Sequence, residues 1–124
     1  MKKILIVDDE QEVASLIKET LDEEEGYETK MTFSSTQAKE ILKEDHFDLV
    51  ITDMIMPEMN GIELTEHIFS NYPKTKVLAC SGGGDSGKLV AGMALDQALE
   101  EGADNALLKP FTPEELMAKV KNLI

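Results

Sequence analysis

Four short apolar runs recur along the chain: Ile4-Leu5-Ile6-Val7, Leu49-Val50-Ile51, Val77-Leu78-Ala79 and Ala106-Leu107-Leu108. Each is continuous rather than alternating, the pattern of strands buried on both faces of a parallel sheet. A weaker fifth run, Thr29 to Phe33, suits an edge strand. Helical spacing fills the gaps. Val13, Leu16, Ile17, Thr20 and Leu21 share one face of a first helix, which ends in the acidic run before Gly26. Ala38, Ile41 and Leu42 mark a second helix, and Leu64, Ile68 and Phe69 a third. Val90, Met93, Ala94, Gln97 and Ala98 mark a fourth, stopped near Gly102. The fifth has a clear start, with Thr112 as N-cap, Pro113 at the first position and Glu115 closing a capping box. Leu116, Val120 and Leu123 are its apolar stripe.

Strand and helix thus alternate five times. Right-handed crossovers turn that order into an α/β, doubly wound parallel sheet with helices on both faces. At 124 residues with no linker or low-complexity tract, residues 1–124 read as one domain.

Charge narrows the function. Lys and Arg total 12 against 25 acids, a net charge of −13, and every basic residue is Lys. Such a chain repels phosphate backbones and anionic membranes, so neither nucleic acid nor membrane is an expected partner. Cys80 stands alone in an apolar run, which excludes an internal disulfide and a thiolate zinc site. The run after Met1-Lys2-Lys3 is too short for a signal peptide, and a cytoplasmic location is expected.

Ligands of an open α/β sheet bind outside the carboxyl ends of its strands. The first strand ends at Asp8-Asp9, the third at Asp53, the fourth at Ser81 and the fifth at Lys109-Pro110. Two carboxylates about 4 Å apart repel by roughly 4 kcal/mol at an effective dielectric of about 20. Asp8, Asp9 and Asp53 therefore call for a cation, and Mg²⁺, which favours a few carboxylates and its own waters, suits them. Lys109 offsets part of the remaining charge and Ser81 adds a neutral donor. A site of this kind can stabilise one further anionic group beside Asp53, such as a phosphoryl.

Competing motifs are weaker. Gly82 to Lys88, within "SGGGDSGK", satisfies G-x-x-x-x-G-K, the phosphate loop of nucleotide hydrolases. Leu89, however, stands where the Mg²⁺-binding Ser or Thr belongs, and the motif follows the Asp-ending strand instead of preceding it. The loop reads better as half of a cradle beside Asp53, with nucleotide hydrolysis as an alternative. Met54, Met56 and Met59 raise soft-metal binding but read as packing or partner-facing residues. His46 and His67 lack companion ligands and read as solvated histidines.

"ILIVDDE", "DLVITDMIMPEMNGIEL" and "GADNALLKPF", in this order and spacing, resemble the three signature blocks of bacterial response-regulator receiver domains, here of the stand-alone, single-domain type. The resemblance covers essentially the whole chain and implies a flavodoxin-like (βα)5 fold with strand order 2-1-3-4-5. It implies that Asp53 accepts a phosphoryl group from a phosphohistidine. Asp9, Asp53 and the Ile55 carbonyl are implied as direct Mg²⁺ ligands, with Asp8 acting largely through water and Mn²⁺ as a substitute ion. Ser81 matches the switch hydroxyl and Lys109 the phosphoryl's charge partner. The Ile55 and Gly82 N–H groups complete the cradle, and the peptide before Pro110 is implied to be cis, cheap only for X–Pro.

By the same resemblance the chain is a signalling phosphoacceptor rather than an enzyme, limited to self-phosphorylation from small donors and autodephosphorylation. Its partners are a histidine kinase or histidine phosphotransfer protein and a downstream protein target. It is a monomer or a phosphorylation-dependent dimer. An interaction module that is never phosphorylated is the alternative. One departure stands out: where family members carry Tyr or Phe, three residues before the lysine, this chain has Ala106. The stretch from Ser81 to Lys109 is also several residues longer than usual. The loop at 82–88 and the start of the fourth helix are therefore expected to move in place of the aromatic ring.

Overall fold

The five apolar runs form five parallel strands, each followed by a helix. The structure is a computed structural model that describes residues 1–55, 61–82 and 87–124. The strands are β1 (Lys2–Val7), β2 (Tyr27–Thr32), β3 (Leu49–Asp53), β4 (Lys76–Gly82) and β5 (Asn105–Lys109). The helices are α1 (Gln11–Asp22), α2 (Ser35–Glu44), α3 (Gly61–Asn71), α4 (Gly87–Glu100) and α5 (Pro113–Leu123). The sheet order is β2-β1-β3-β4-β5, with every neighbouring pair parallel. This is the flavodoxin-like arrangement expected from the sequence.

Side chains alternate across the sheet even where the runs are continuous. Ile4 and Ile6 join Ile51, Leu78 and Leu107 in a core under α1 and α5, with Ile17, Leu21, Leu116 and Val120. Leu5 and Val7 point the other way and join Val50 and Val77 beneath α2 and α3, with Ala38, Leu42, Leu64 and Ile68. Burial on both faces is why the centres of these strands are continuous apolar runs. Only β2, at the edge, alternates exposed and partly buried residues.

The helix faces differ from the expected stripes at several positions. In α1, Ala14 is buried and Leu16 is exposed. In α3, Leu64 and Ile68 are buried, but Phe69 is 65% exposed. Its ring covers Gly102, where a Cβ would come within 2.6 Å of it. In α4, Leu95 and Ala98 pack on Met54 and Ala79, whereas Met93 and Gln97 face solvent. Apolar residues lie on several sides of α4, so spacing alone did not select its buried face.

Helix α5 begins as its sequence demands. The Thr112 Oγ accepts from the Glu115 N–H at 3.1 Å, and the Glu115 carboxylate accepts from the Thr112 N–H at 3.2 Å. Pro113 occupies the first turn, where its missing N–H costs nothing. Thr112→Ala should therefore destabilise the protein by about 1 kcal/mol. Urea unfolding measures it, and an unchanged midpoint would show that the cap contributes nothing.

Candidate phosphoacceptor site

Parallel register brings the strand ends level. Val7 pairs with Thr52, Asp53 with Cys80, Ser81 with Leu108 and Gly82 with Lys109. Asp8 extends β1, its N–H donating to the Thr32 carbonyl at 3.2 Å. The side chains that follow these pairs meet on one rim.

Lys109 is the centre of charge there. Its ammonium lies 2.9 Å from Asp8 Oδ2, 3.6 Å from Asp53 Oδ1 and 3.8 Å from Glu10 Oε1. Asp8 is 2% exposed and Asp53 7%, so both carboxylates have lost most of their water. Burial pushes Asp53 up to about 6; the Lys109 ammonium works against this, while Asp8 and Asp9 push it further up. The Met54 N–H, donating to Asp53 Oδ1 at 2.9 Å, also favours the ionised form. Burial opposes the charge on Lys109, but the bond to Asp8 and the field of Asp53 outweigh it and hold its pKa above the ordinary lysine value.

Neutral groups complete the rim. The Ser81 Oγ is buried and finds no hydrogen-bond partner among the described residues, although a buried hydroxyl is costly to leave unpaired. Gly82 has φ +143°, and a Cβ there would lie 2.6 Å from the Lys109 carbonyl oxygen. The Lys109-Pro110 peptide is cis. Ile55 follows β3 with an exposed side chain. Gly61 opens α3 so close to β3 that a Cβ would stand 2.0 Å from the Asp53 carbonyl oxygen. Beneath the rim, Cys80 is fully buried, and burial pushes its thiol up to about 12, leaving it an inert packing group.

The structure thus brings Asp8, Asp53, Ser81, Gly82 and Lys109 together. Asp9 stands apart: its side chain is exposed, and it acts on Asp53 through its field. The carboxylates whose oxygens gather within 4.8 Å of one another are Asp8, Glu10 and Asp53. Sequence reasoning passed over Glu10, which the turn made by its N–H donating to Asp8 Oδ1 at 2.9 Å brings to the rim. Three carboxylates around one ammonium suit a divalent cation, so the donor set fits Mg²⁺, the ion receiver domains use in phosphorylation.

The other residues weighed from sequence lie elsewhere. Met54 packs in the core, while Met56 and Met59 fall outside the described residues. His46 pairs with Asp48 at 3.4 Å, and His67 meets Asn71 and the edge of Tyr72. Ala106 packs against the cluster of Met54, Ala79, Leu95 and Ala98. Of the glycine-rich loop, residues 83–86 lie outside the described part.

A doubly wound sheet with two acidic strand ends, a hydroxyl and a lysine followed by a cis proline defines a signalling receiver fold. The chain belongs to the response regulator receiver domain family, whose model matches residues 4–121. It is 33% identical to the transcriptional regulatory protein CpxR of Escherichia coli, over all of this chain and 50% of that protein. It is equally similar, at 33%, to the response regulator ArlR of Staphylococcus saprophyticus, over all of this chain and 53% of that one. The chain therefore spans about half the length of the curated relatives it matches. A receiver domain protein of Clostridium thermocellum superposes with a TM-score of 0.85 at 33% identity, covering 100% of this chain and 94% of that one. One from Methanospirillum hungatei does so at 0.85 and 30%, covering 98% and 92%. As a receiver of two-component signalling the chain is not an enzyme of the usual kind, and neither the nucleotide-hydrolase nor the unphosphorylated-module reading is needed. Among the described residues no helix is long and apolar enough to cross a membrane.

Proposed function

We propose that residues 1–124 act as one cytoplasmic receiver unit in which Asp53 accepts a phosphoryl group from the phosphohistidine of a kinase or phosphotransfer protein. An Asp53 carboxylate oxygen attacks phosphorus, the P–N bond to histidine breaks, and the imidazole leaves with the electron pair and takes up a proton. Asp8, Asp9, Asp53 and the Ile55 carbonyl would hold Mg²⁺, or Mn²⁺ in its place. When bound, the ion neutralises charge on the transferring phosphoryl.

The chain's own residues supply the rest. Lys109, now nearer Asp8 than Asp53, has only a short way to swing to pair with a phosphoryl on Asp53. Ser81 donates its hydroxyl to a phosphoryl oxygen, and the Ile55 and Gly82 N–H groups donate to the others. The observation that carries this reading is the Ser81 Oγ at the end of β4, buried and without a hydrogen-bond partner among the described residues, which a phosphoryl oxygen would satisfy.

Phosphorylation replaces one negative charge by about two near neutral pH. With Ala106 in place of an aromatic, the change passes to the loop at 82–88 and the start of α4, and so to a downstream protein that docks there. A net charge of −13 argues against contact of this segment itself with nucleic acid. The chain acts as a monomer, or as a dimer that forms on phosphorylation where two copies expose that same surface.

Intact mass after incubation with acetyl phosphate and Mg²⁺, followed by peptide mapping, tests the reading. One added phosphoryl on Asp53, absent when the divalent ion is chelated, is expected. A phosphoryl mapped elsewhere, or none from acetyl phosphate and none from a phosphohistidine donor, would overturn it.

A further inference from the structure

We propose that Asp48 and Asp104, at the opposite end of the sheet from the site, are positioning residues that set the stagger of β3 and β5 and so the heights of Asp53 and Lys109 at the rim. The inference rests on the phosphoacceptor reading above. Each of the two immediately precedes its strand and grips one residue of the neighbouring strand twice. The Asp48 N–H donates to the Lys3 carbonyl at 2.8 Å, and the Asp48 carboxylate accepts from the Lys3 N–H at 2.8 Å. The Asp104 N–H donates to the Val77 carbonyl at 2.9 Å, and the Asp104 carboxylate accepts from the Val77 N–H at 2.8 Å. In a parallel ladder the slanted main-chain bonds of a residue go to two different partners, so a doubled grip needs a side chain.

Equal strand lengths tie both grips to the site. Five residues after Lys3 and Asp48 stand Asp8 and Asp53, and five after Val77 and Asp104 stand Gly82 and Lys109. The register is unbroken in between, from Ile4 with Leu49 to Val7 with Thr52, and from Leu78 with Asn105 to Gly82 with Lys109.

The apolar residues do not fix that register by themselves. A one-residue slip is strongly resisted where one face of a strand is buried and the other solvated. Ile4 to Val7 and Leu49 to Ile51 are all 0–1% exposed, so a slip merely exchanges one apolar core for the other. In β5, Leu107 packs on one core while Ala106 and Leu108 pack on another. At the rim the same slip would be large: one residue of parallel strand is about 3.3 Å, nearly the whole 3.6 Å between Lys109 and Asp53. A carboxylate that bonds in only one register, placed where each strand begins, removes that freedom.

The test compares Asp104→Ala, which loses the side-chain bond, with Asp104→Asn, whose amide oxygen can still accept from the Val77 N–H. Ala38→Gly, in the buried face of α2, is a control that destabilises the fold without touching either grip. Two quantities are measured where urea unfolding shows every protein folded. One is the set of NOEs between Ser81 and Leu108 and between Gly82 and Lys109, the pairs at the far end of the strands. The other is the rate of phosphoryl uptake from acetyl phosphate with Mg²⁺. Asp104→Ala should weaken those NOEs and slow uptake roughly tenfold, as a displacement of under about 1 Å can, while Asp104→Asn and Ala38→Gly match the parent. Asp48→Ala should slow uptake likewise, with the NOEs between Val7 and Thr52 weakened instead. Unchanged NOEs or an unchanged rate in Asp104→Ala would overturn the proposal, since a residue with a merely local structural role lowers only the unfolding midpoint. So would Asp104→Asn behaving like Asp104→Ala, or Ala38→Gly slowing uptake as much. If the parent takes up no phosphoryl group, the phosphoacceptor reading falls, while the NOEs still decide whether Asp104 sets the stagger.

Discussion

In buffer free of divalent ions at pH 7, Asp53→Asn is expected to be more stable than the parent by up to about 3 kcal/mol, and with Mg²⁺ and acetyl phosphate supplied it should take up no phosphoryl group where the parent takes up one. Burial, with help from Asp8 and Asp9, raises Asp53 from 3.8 to about 6, and each tenfold difference in proton affinity is worth about 1.36 kcal/mol. The sign follows from linkage. The folded protein binds this proton more tightly than the unfolded chain, so stability is gained as pH falls from above 6 towards 4 and lost as it rises through 6. Asparagine has nearly the same shape, can still accept from the Met54 N–H, and carries no charge to desolvate. The stability curves of parent and variant should therefore converge near pH 4 and separate to a plateau above pH 6. Curves that run parallel across that range would show that Asp53 is not held under strain.

A nucleophile held at such a cost makes sense for a group whose charge is meant to be taken up by a ligand. It also explains why the site was readable from strand ends alone: five polar residues gather at the carboxyl ends of strands whose central runs, such as Ile4 to Val7 and Val77 to Ala79, are apolar. Continuous runs such as Ile4 to Val7 declared their own burial, since both faces of the sheet are covered. Distances were another matter. That Lys109 bonds to Asp8 at 2.9 Å and stands 3.6 Å from Asp53 depends on strand stagger and on the turn after β1, which no spacing reveals. Glu10 was hidden for a similar reason, because in an acidic chain one more glutamate reads as solvated surface until the Asp8 turn is seen to aim it. Gly61 shows the converse. The residue stands in a recognisable block, "MNGIEL", but its physical necessity, a helix start too near the Asp53 carbonyl for any Cβ, emerges only in three dimensions.

Lys109→Met should have the opposite effect on stability, costing about 3 kcal/mol, because it leaves buried charge without its partner. Asp8 loses its ion pair while staying 2% exposed, and Asp53 loses the ammonium that favours its ionised form. Phosphoryl uptake should fall by roughly 10²-fold or more, the usual cost of removing a group aimed at developing charge in a dry site. The two variants together separate these roles. If Lys109 stabilises the fold partly by neutralising Asp53, then adding Asp53→Asn to Lys109→Met should recover more stability than Asp53→Asn gains in the parent, since the carboxylate removed is now unopposed. The excess is the coupling between the two residues, read from urea unfolding of the four proteins at pH 7. Strict additivity would mean that Lys109 serves Asp8 alone in the resting protein, its 3.6 Å approach to Asp53 then contributing nothing until a phosphoryl group arrives.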